Sequence, residues 1–194
     1  MKATVPTAPQ DCRVPTTSLD RRKLLWGGFA GLCTLSPLPA LATVSVDAER
    51  TLSFLNLHTG ERLKSTYWAR GDYIAESVDA INHVLRDFRS GEVKPIDARL
   101  LDMLHSLRGA TESNQPFHVI SGYRSPTTNK QLIAAGRGVA KRSLHMRGMA
   151  VDVRLPDREL KAVYRAARAM QAGGVGYYEK SNFIHIDVGR VRYW

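Results

Sequence analysis

Ser143-Leu-His-Met-Arg-Gly-Met-Ala-Val-Asp-Val153 sets the organisation of this 194-residue chain. It holds His145 and, seven positions later, Asp152. Gly148 between them fits a turn that leads into a strand from Met149 to Arg154. The two-residue period of a strand puts Met149, Val151 and Val153 on one face and Ala150, Asp152 and Arg154 on the other. An unpaired buried charge is costly, so Asp152 between two valines needs a partner.

A second stretch, Asn182-Phe-Ile-His-Ile-Asp-Val188, alternates in the same way. The apolar side chains of Ile184, Ile186 and Val188 share one face, and those of Phe183, His185 and Asp187 share the other. Two neighbouring strands would then present Asp152 and His185 to one cleft, with His145 reaching it from a loop. Catalytic zinc commonly has three such protein ligands and keeps its fourth position for water. The sequence therefore predicts one zinc ion held by His145, Asp152 and His185.

Other interpretations of these three residues remain open at this point. A lone histidine is usually a surface or core residue, and an aspartate often just ends a strand. The spacing is also looser than His-Glu-x-x-His on one helix. Two histidines and one carboxylate can instead form the facial triad of a non-haem iron oxygenase, which would need iron and a redox co-substrate.

Residues 1–42 have the pattern of an export signal. Met1–Asp20 is polar, Arg21-Arg22-Lys23 is basic, and the segment that follows is apolar and ends in a small-x-small site at Ala40-Leu-Ala42. This pattern predicts a cleaved secretory signal, and the paired arginines favour the twin-arginine route. We therefore expect a periplasmic protein without a membrane span in its mature part. A retained membrane anchor is the alternative, which two prolines in the apolar run oppose.

The cysteines and the charge limit the function further. Both cysteines, Cys12 and Cys33, lie in the predicted signal, which excludes a cysteine nucleophile or zinc-finger ligands in residues 43–194. That segment carries 23 basic and 16 acidic residues, a net charge of +7. A basic surface suits an anionic partner. Export argues against nucleic acid and favours an anionic cell-wall polymer, although excess charge can also serve solubility alone.

The remaining pattern predicts one α+β domain over residues 43–194. Alternation and a His-Thr-Gly turn indicate a hairpin of strands 51–57 and 61–68. Apolar spacings of three and four predict helices. We expect them from Asp72 to Phe88, from a cap at Asp97 to Gly109, over 126–135 and over 156–171. Further strands are expected at 117–121, 175–178 and 183–188, and Tyr193-Trp194 is expected to pack back onto the domain.

Four ordered motifs together resemble one family. They are Ser121-Gly-Tyr-Arg-Ser125, Ser143-x-His145-x-x-Gly148-x-Ala150-x-Asp152, Gly173-Gly-Val-Gly-Tyr-Tyr178 and Phe183-Ile-His185-Ile-Asp187. The chain resembles the D-Ala-D-Ala carboxypeptidase and dipeptidase (hedgehog-type) superfamily of zinc peptidases, and most of all its exported murein endopeptidase branch. The resemblance implies a small antiparallel sheet with flanking helices that holds one zinc ion. It also implies cleavage of peptide cross-links in peptidoglycan, including those between two diaminopimelate residues, and we expect a monomer.

The resemblance also implies roles for single residues. His145, Asp152 and His185 match the metal ligands. Arg124 matches an arginine that contacts the scissile carbonyl or a substrate carboxylate. Ser121, Tyr123 and Ser143 fall where substrate contacts are expected.

The general base departs from the family pattern. Many relatives have a glutamate three residues before the last histidine, or a histidine two before it, where this chain has Asn182 and Phe183. Asp187 is the first candidate for the base, although it could instead orient the imidazole of His185, and Glu179 is the next. The missing familiar base leaves a non-catalytic peptidoglycan-binding module as an alternative. A carboxypeptidase acting on stem peptides is another.

Overall fold

The computed structural model describes residues 49–194. The predicted export signal and both cysteines lie outside these residues. Within the described part, no helix has the length and apolar character needed to cross a membrane.

The described chain contains eight strands, four α-helices and two short 3-10 helices. The strands are β1 Arg50–Asn56, β2 Arg62–Ala69, β3 Asp72–Tyr73, β4 Phe117–Ser121, β5 Ala150–Arg154, β6 Gly174–Tyr178, β7 Phe183–Asp187 and β8 Arg192–Tyr193. The helices are α1 Ala75–Val84, α2 Ala98–Ala110, α3 Pro126–Ala134 and α4 Leu160–Ala169, and the 3-10 turns are Leu144–Arg147 and Glu179–Ser181. The α+β class is therefore confirmed.

All eight strands belong to one sheet, in the order β3-β2-β1-β4-β5-β7-β6-β8. Most neighbours are antiparallel, but β1 pairs with β4 and β6 pairs with β8 in parallel. The sheet is thus larger than the small antiparallel sheet that was expected, and it is mixed. For β1 and β4 the physical reason is the connection between them. The segment with α1 and α2 returns the chain to the end of the sheet at which β1 starts, so β4 runs in the same direction as β1.

Helix starts follow the local side-chain chemistry. Asp97 caps α2 by accepting a hydrogen bond from the backbone amide of Arg99, and Ser125 caps α3 in the same way for Thr128. The expected start of the first helix at Asp72 is wrong, because Asp72 pairs with Ala69 in β3 and the helix begins only after Ile74. The last helix likewise begins at Leu160 rather than near residue 156.

One face of the sheet packs against helices and forms the core. The apolar sets predicted for β5 and β7 are buried: Val151, Val153, Ile184 and Ile186 are all fully inaccessible to solvent. Fully burying such a side chain stabilises the fold by roughly 1.5–3 kcal/mol. The opposite face carries Asp152 and His185, which line a cavity. The candidate site therefore lies on strands whose other face is packed in the core.

Candidate metal centre

Strand register brings two of the three predicted ligands together. Asp152 of β5 and His185 of β7 are direct antiparallel partners, so their side chains stand side by side on the open face. His145 comes from the 3-10 turn just before β5. Gly148 ends that turn at φ +67°, and a Cβ there would lie 2.3 Å from the carbonyl oxygen of Pro95. Only glycine allows this close approach, which fixes how His145 enters the site.

The three side chains meet at one point. His145 Nε2 lies 3.2 Å from His185 Nδ1 and 3.3 Å from Asp152 Oδ1, and His185 Nδ1 lies 2.9 Å from the same oxygen. Ligands of a tetrahedral zinc ion, with bonds of about 2.0–2.1 Å, stand about 3.3 Å apart. Two imidazoles and one carboxylate in this arrangement therefore fit a zinc-type metal ion.

Each imidazole is oriented by its other ring nitrogen. Nδ1 of His145 donates to the carbonyl oxygen of Gly122 at 2.8 Å. The lone pair of this imidazole therefore lies on Nε2, which faces Asp152 and His185. Nε2 of His185 is 2.9 Å from Asp187 Oδ2 and donates to it, which turns Nδ1 inward. Such partners fix the tautomer and orientation of metal-binding histidines.

Asp187 lies behind His185 and is fully buried. Besides His185, it accepts hydrogen bonds from the Arg192 guanidinium at 2.7 and 3.0 Å and from the Gly189 amide at 2.8 Å. Burial alone would raise the pKa of Asp187, but these donors hold it well below its usual range. Both of its oxygens are engaged, and the carboxylate does not line the cavity.

The charges at the centre depend on one another. Burial would raise the pKa of Asp152, yet the adjacent His145 and His185 hold it well below its usual range. Burial lowers the pKa of His185, but its hydrogen bonds to Asp152 and Asp187 outweigh this and leave it raised. The centre is thus an ionised carboxylate between two bases, which favours a cation.

Arg124 stands beside this carboxylate. Its Nη2 atom is 3.9 Å from Asp152 Oδ2 and 3.3 Å from Ser121 Oγ, and Nη1 is 3.4 Å from Asn129 Oδ1. These contacts are long for charge-assisted hydrogen bonds. The Nε atom is buried and has no partner among the described residues. Burial is the main cause that lowers the pKa of Arg124. The guanidinium therefore retains unused donors next to the centre.

The centre forms the floor of a cavity of about 570 Å³. Cationic side chains line it, namely Arg124, Arg137, Arg142 and Arg192, and aromatic side chains line it as well, namely Tyr178, Phe183 and Trp194. The ring of Trp194 lies 5.3 Å from that of His185, and its Nε1 donates to the Tyr178 hydroxyl at 2.9 Å. The expected packing of Trp194 onto the domain is thus confirmed.

The predicted substrate contacts are not all at this cavity. Ser143 lines it. Ser121 does not line it and instead accepts a hydrogen bond from Arg124. Tyr123 is buried in the core, where its amide donates to the carbonyl of Leu85. Glu179 is exposed and does not line the cavity either.

Sequence reasoning missed several neighbours of the candidate centre. Arg192 was not singled out, although a basic residue five positions after Asp187, beyond a glycine, is a signal for a local ion pair. Arg137 and Arg142 lie in a glycine-containing loop without periodicity. The link from Gly122 to His145 uses a backbone carbonyl, which no side-chain pattern reveals.

Comparisons with known proteins agree on one family. The model of the family described as Peptidoglycan L,D-endopeptidase MepK matches residues 44–194. The protein of Escherichia coli (strain K12) with that name is 46% identical over 176 residues, which cover 90% of this chain and 97% of the relative. A probable peptidoglycan L,D-endopeptidase MepK of Haemophilus influenzae is 36% identical over 180 residues, covering 91% and 97%. The chain therefore belongs to the MepK family of peptidoglycan L,D-endopeptidases, as its motifs predicted.

Proposed function

We propose that this protein is a zinc-dependent murein endopeptidase that hydrolyses L,D peptide cross-links of peptidoglycan. The observation that carries the proposal is the convergence of His145, Asp152 and His185 on the floor of an arginine-lined cavity. Family membership supports the reaction type, because the relatives carry the name of this activity. We propose that the protein acts as a monomer.

Export completes the proposal. Peptidoglycan lies outside the cytoplasm, and residues 1–42 have the composition of a twin-arginine-type signal that is removed. Residues 43–194 then form the peptidase domain in the periplasm. Their net charge of +7 suits a polymer that carries peptide carboxylates.

One zinc ion per chain would be held by His145 Nε2, Asp152 Oδ1 and His185 Nδ1. When bound, zinc supplies a Lewis acid for the scissile carbonyl and a water whose pKa is about 7. The chain's own task is to fix the tautomer and orientation of both histidines, so that the nitrogen with the lone pair points inward. The Gly122 carbonyl and Asp187 do so by accepting from the outward nitrogens.

Arg124 is proposed to stabilise the oxyanion that forms at the scissile carbonyl. Its donors are only loosely engaged with Asp152, Ser121 and Asn129, so turning them toward an oxyanion breaks few strong bonds. A positioned donor of this kind typically contributes a factor of about 100–1,000 to the rate. Ser121 serves by holding the guanidinium, while Ser143 remains a candidate for direct contact with the peptide.

Between the two roles open for Asp187, we propose the positioning role. Its two oxygens are engaged with His185, Arg192 and Gly189, and it lies on the far side of the His185 ring from the cavity. A carboxylate whose pKa is held so low is also a weak base near neutral pH. Glu179 is then the remaining candidate for the base, and it would reach the substrate only if the 179–181 turn closed over the cavity.

The testing experiment uses defined cross-linked muropeptide dimers and the purified protein, with product masses as the readout. Loss of L,D-linked dimers that stops with a chelator and returns with zinc is the expected result. Release of a single terminal residue would indicate a carboxypeptidase instead. Binding of one zinc ion per chain without any new amine would indicate a binding module, and activity that requires iron and a redox co-substrate would indicate an oxygenase.

Matched variants tie the activity to the site. His145→Ala, Asp152→Ala and His185→Ala should each abolish metal binding or activity while the fold is kept. His83→Ala is the control, because His83 is an exposed histidine on α1 whose imidazole lies 3.6 Å from Glu61 and takes no part in the candidate centre. Full activity in all three site variants would refute the zinc-centre proposal.

A further inference from the structure

A second, smaller cavity of about 250 Å³ opens at the C-terminal end of β5, where the chain leaves the sheet toward α4. His118 of β4 and Arg154 of β5 form one wall, and they are direct cross-strand partners. Leu155 and Leu160 contribute apolar walls, and Asn182 closes the side toward β7. No proposed catalytic residue lines this cavity.

The cavity lies next to the metal centre along the strands. Arg154 follows Asp152 by two positions in β5, which is about 7 Å of strand at 3.3–3.4 Å per residue. Phe183 lines the larger cavity and Asn182, the residue before it, lines the smaller one. An extended peptide advances about 3.3–3.6 Å per residue. A group two residues from the scissile bond would therefore reach Arg154.

The cavity carries positive charge that the protein does not neutralise. Arg154 forms no side-chain hydrogen bond or ion pair within the described part of the chain. Nδ1 of His118 is buried without a hydrogen-bond partner there. Burial and the positive charges of Arg154 and Arg62 lower the pKa of His118. A buried polar atom without a partner is uncommon and calls for an explanation.

The other arginine at the rim is already occupied. Arg158 donates to the backbone carbonyls of Thr111 and Glu112, which leaves Arg154 as the cation available to a ligand on this wall. The lining residues of this cavity within 49–194 include no carboxylate. The combination of an unengaged guanidinium, an imidazole with a vacant nitrogen and an amide side chain suits a carboxylate ligand.

We propose that this cavity is a subsite for a stem-peptide carboxylate of peptidoglycan, bound by Arg154 and His118 about two residues from the scissile bond. The proposal rests on the murein endopeptidase function proposed above and extends it to substrate selection. The Arg154 guanidinium would bind the two carboxylate oxygens. The unpaired Nδ1 of His118 is buried, so the imidazole would have to turn to donate to the same carboxylate. Leu155 and Leu160 contact the aliphatic part of the same residue. The subsite would favour peptides whose carboxylate is free over those in which it is amidated.

The test compares free-acid and amidated peptides in binding and in turnover. Calorimetry with uncross-linked tetrapeptide stems measures binding without any hydrolysis, and cross-linked dimers of both forms give kcat and KM. The variant is Arg154→Gln. The matched control is Arg165→Gln, because Arg165 is an exposed arginine on α4, the helix that packs on the other face of the sheet.

Arg154→Gln should weaken binding of the free-acid tetrapeptide about tenfold, the size of one lost hydrogen bond to a charged group. It should raise KM for the free-acid dimer by a similar factor, with kcat changed less than about twofold. Amidated peptides should bind wild type and variant alike, and Arg165→Gln should behave as wild type. If Arg154→Gln weakened the binding of free-acid and amidated peptides equally, or weakened neither, the subsite proposal would be overturned.

The two proposals fail in distinguishable ways. If the wild type cleaves no murein but binds the free-acid stem through Arg154, the subsite stands and the peptidase proposal falls. If the wild type cleaves dimers and Arg154→Gln does so with unchanged KM, the peptidase stands and the subsite falls.

Discussion

Asp187→Asn separates a carboxylate that orients His185 from one that acts as the general base. The substitution keeps the shape of the side chain but replaces one acceptor oxygen with an NH₂ group. Each oxygen of Asp187 faces donors: Oδ2 faces His185 and Arg192, and Oδ1 faces Gly189 and Arg192. Whichever way the amide turns, its NH₂ group faces other donors, and at least two hydrogen bonds are lost.

The expected effect is larger on the metal than on the rate. A hydrogen bond to a charged group is worth about 1.5–3 kcal/mol, which corresponds to a factor of roughly 10–100 in zinc affinity when the orientation of His185 is no longer fixed. At saturating zinc the centre is refilled, so we expect kcat within about threefold of wild type. Arg192 loses its partner, which should lower the free energy of unfolding by about 3 kcal/mol.

The assay is competition with a chelator of known affinity, followed by kinetics at saturating zinc. Asp102→Asn is the control, because Asp102 is likewise held by several donors, namely Arg50, Tyr67 and Tyr73, but takes no part in the centre. It should lower stability without changing zinc affinity. Unchanged zinc affinity in Asp187→Asn, with kcat reduced about 1,000-fold at saturating zinc, would refute the positioning role and make Asp187 the base.

Three further predictions follow from other contacts. Arg124→Lys should lower kcat/KM about 100-fold or more with zinc affinity nearly unchanged; a loss below threefold would remove Arg124 from the mechanism. Gly148→Ala should lower the melting temperature by about 5 °C or more, since a Cβ would lie 2.3 Å from the Pro95 carbonyl oxygen at φ +67°; an unchanged melting temperature would contradict this. The pKa of Asp102 is lowered, because hydrogen bonds from its tyrosine and arginine partners outweigh burial. Its contribution to stability is therefore present above the unfolded pKa of about 4 and lost below it. Denaturant titrations should give Asp102→Asn a lower free energy of unfolding than wild type at pH 7, and this difference should become smaller toward pH 3. A difference that stays constant with pH would refute the contribution assigned to the ionised Asp102.

Periodicity was sufficient to bring two of the three candidate ligands together, because Asp152 and His185 lie on strands. Alternation in 149–154 and 183–188 put Asp152 and His185 on one face and the valines and isoleucines on the other, and the structure has this arrangement. The alternation was easy to recognise because each of the two strands carries apolar core residues on one face and a site residue on the other. A strand has only two faces, so when the apolar residues face the core, Asp152 and His185 must lie on the opposite face.

The sequence failed where a contact depends on distant backbone. Asp72 is a reasonable helix cap in isolation, but pairing with Ala69 in β3 takes it into the sheet. Tyr123 sits within a motif and still packs in the core, because its amide is held by the carbonyl of Leu85. The parallel pairing of β1 with β4 depends on sixty residues of intervening chain, counted from Asn56 to Phe117. No local pattern encodes it.

The geometry of the candidate metal centre is fixed by residues on the opposite face of the sheet. Asp152 opposes His185 only in the observed register, and a slip of one residue in either strand would turn that strand's site residue inward. The same slip would expose two of the four buried side chains Val151, Val153, Ile184 and Ile186. At roughly 1.5–3 kcal/mol each, the loss of two is about 3–6 kcal/mol, a large part of the 5–15 kcal/mol by which domains are usually stable. The apolar residues of β5 and β7 thus hold Asp152 and His185 in register by themselves, so a bound metal ion would not have to supply that ordering energy.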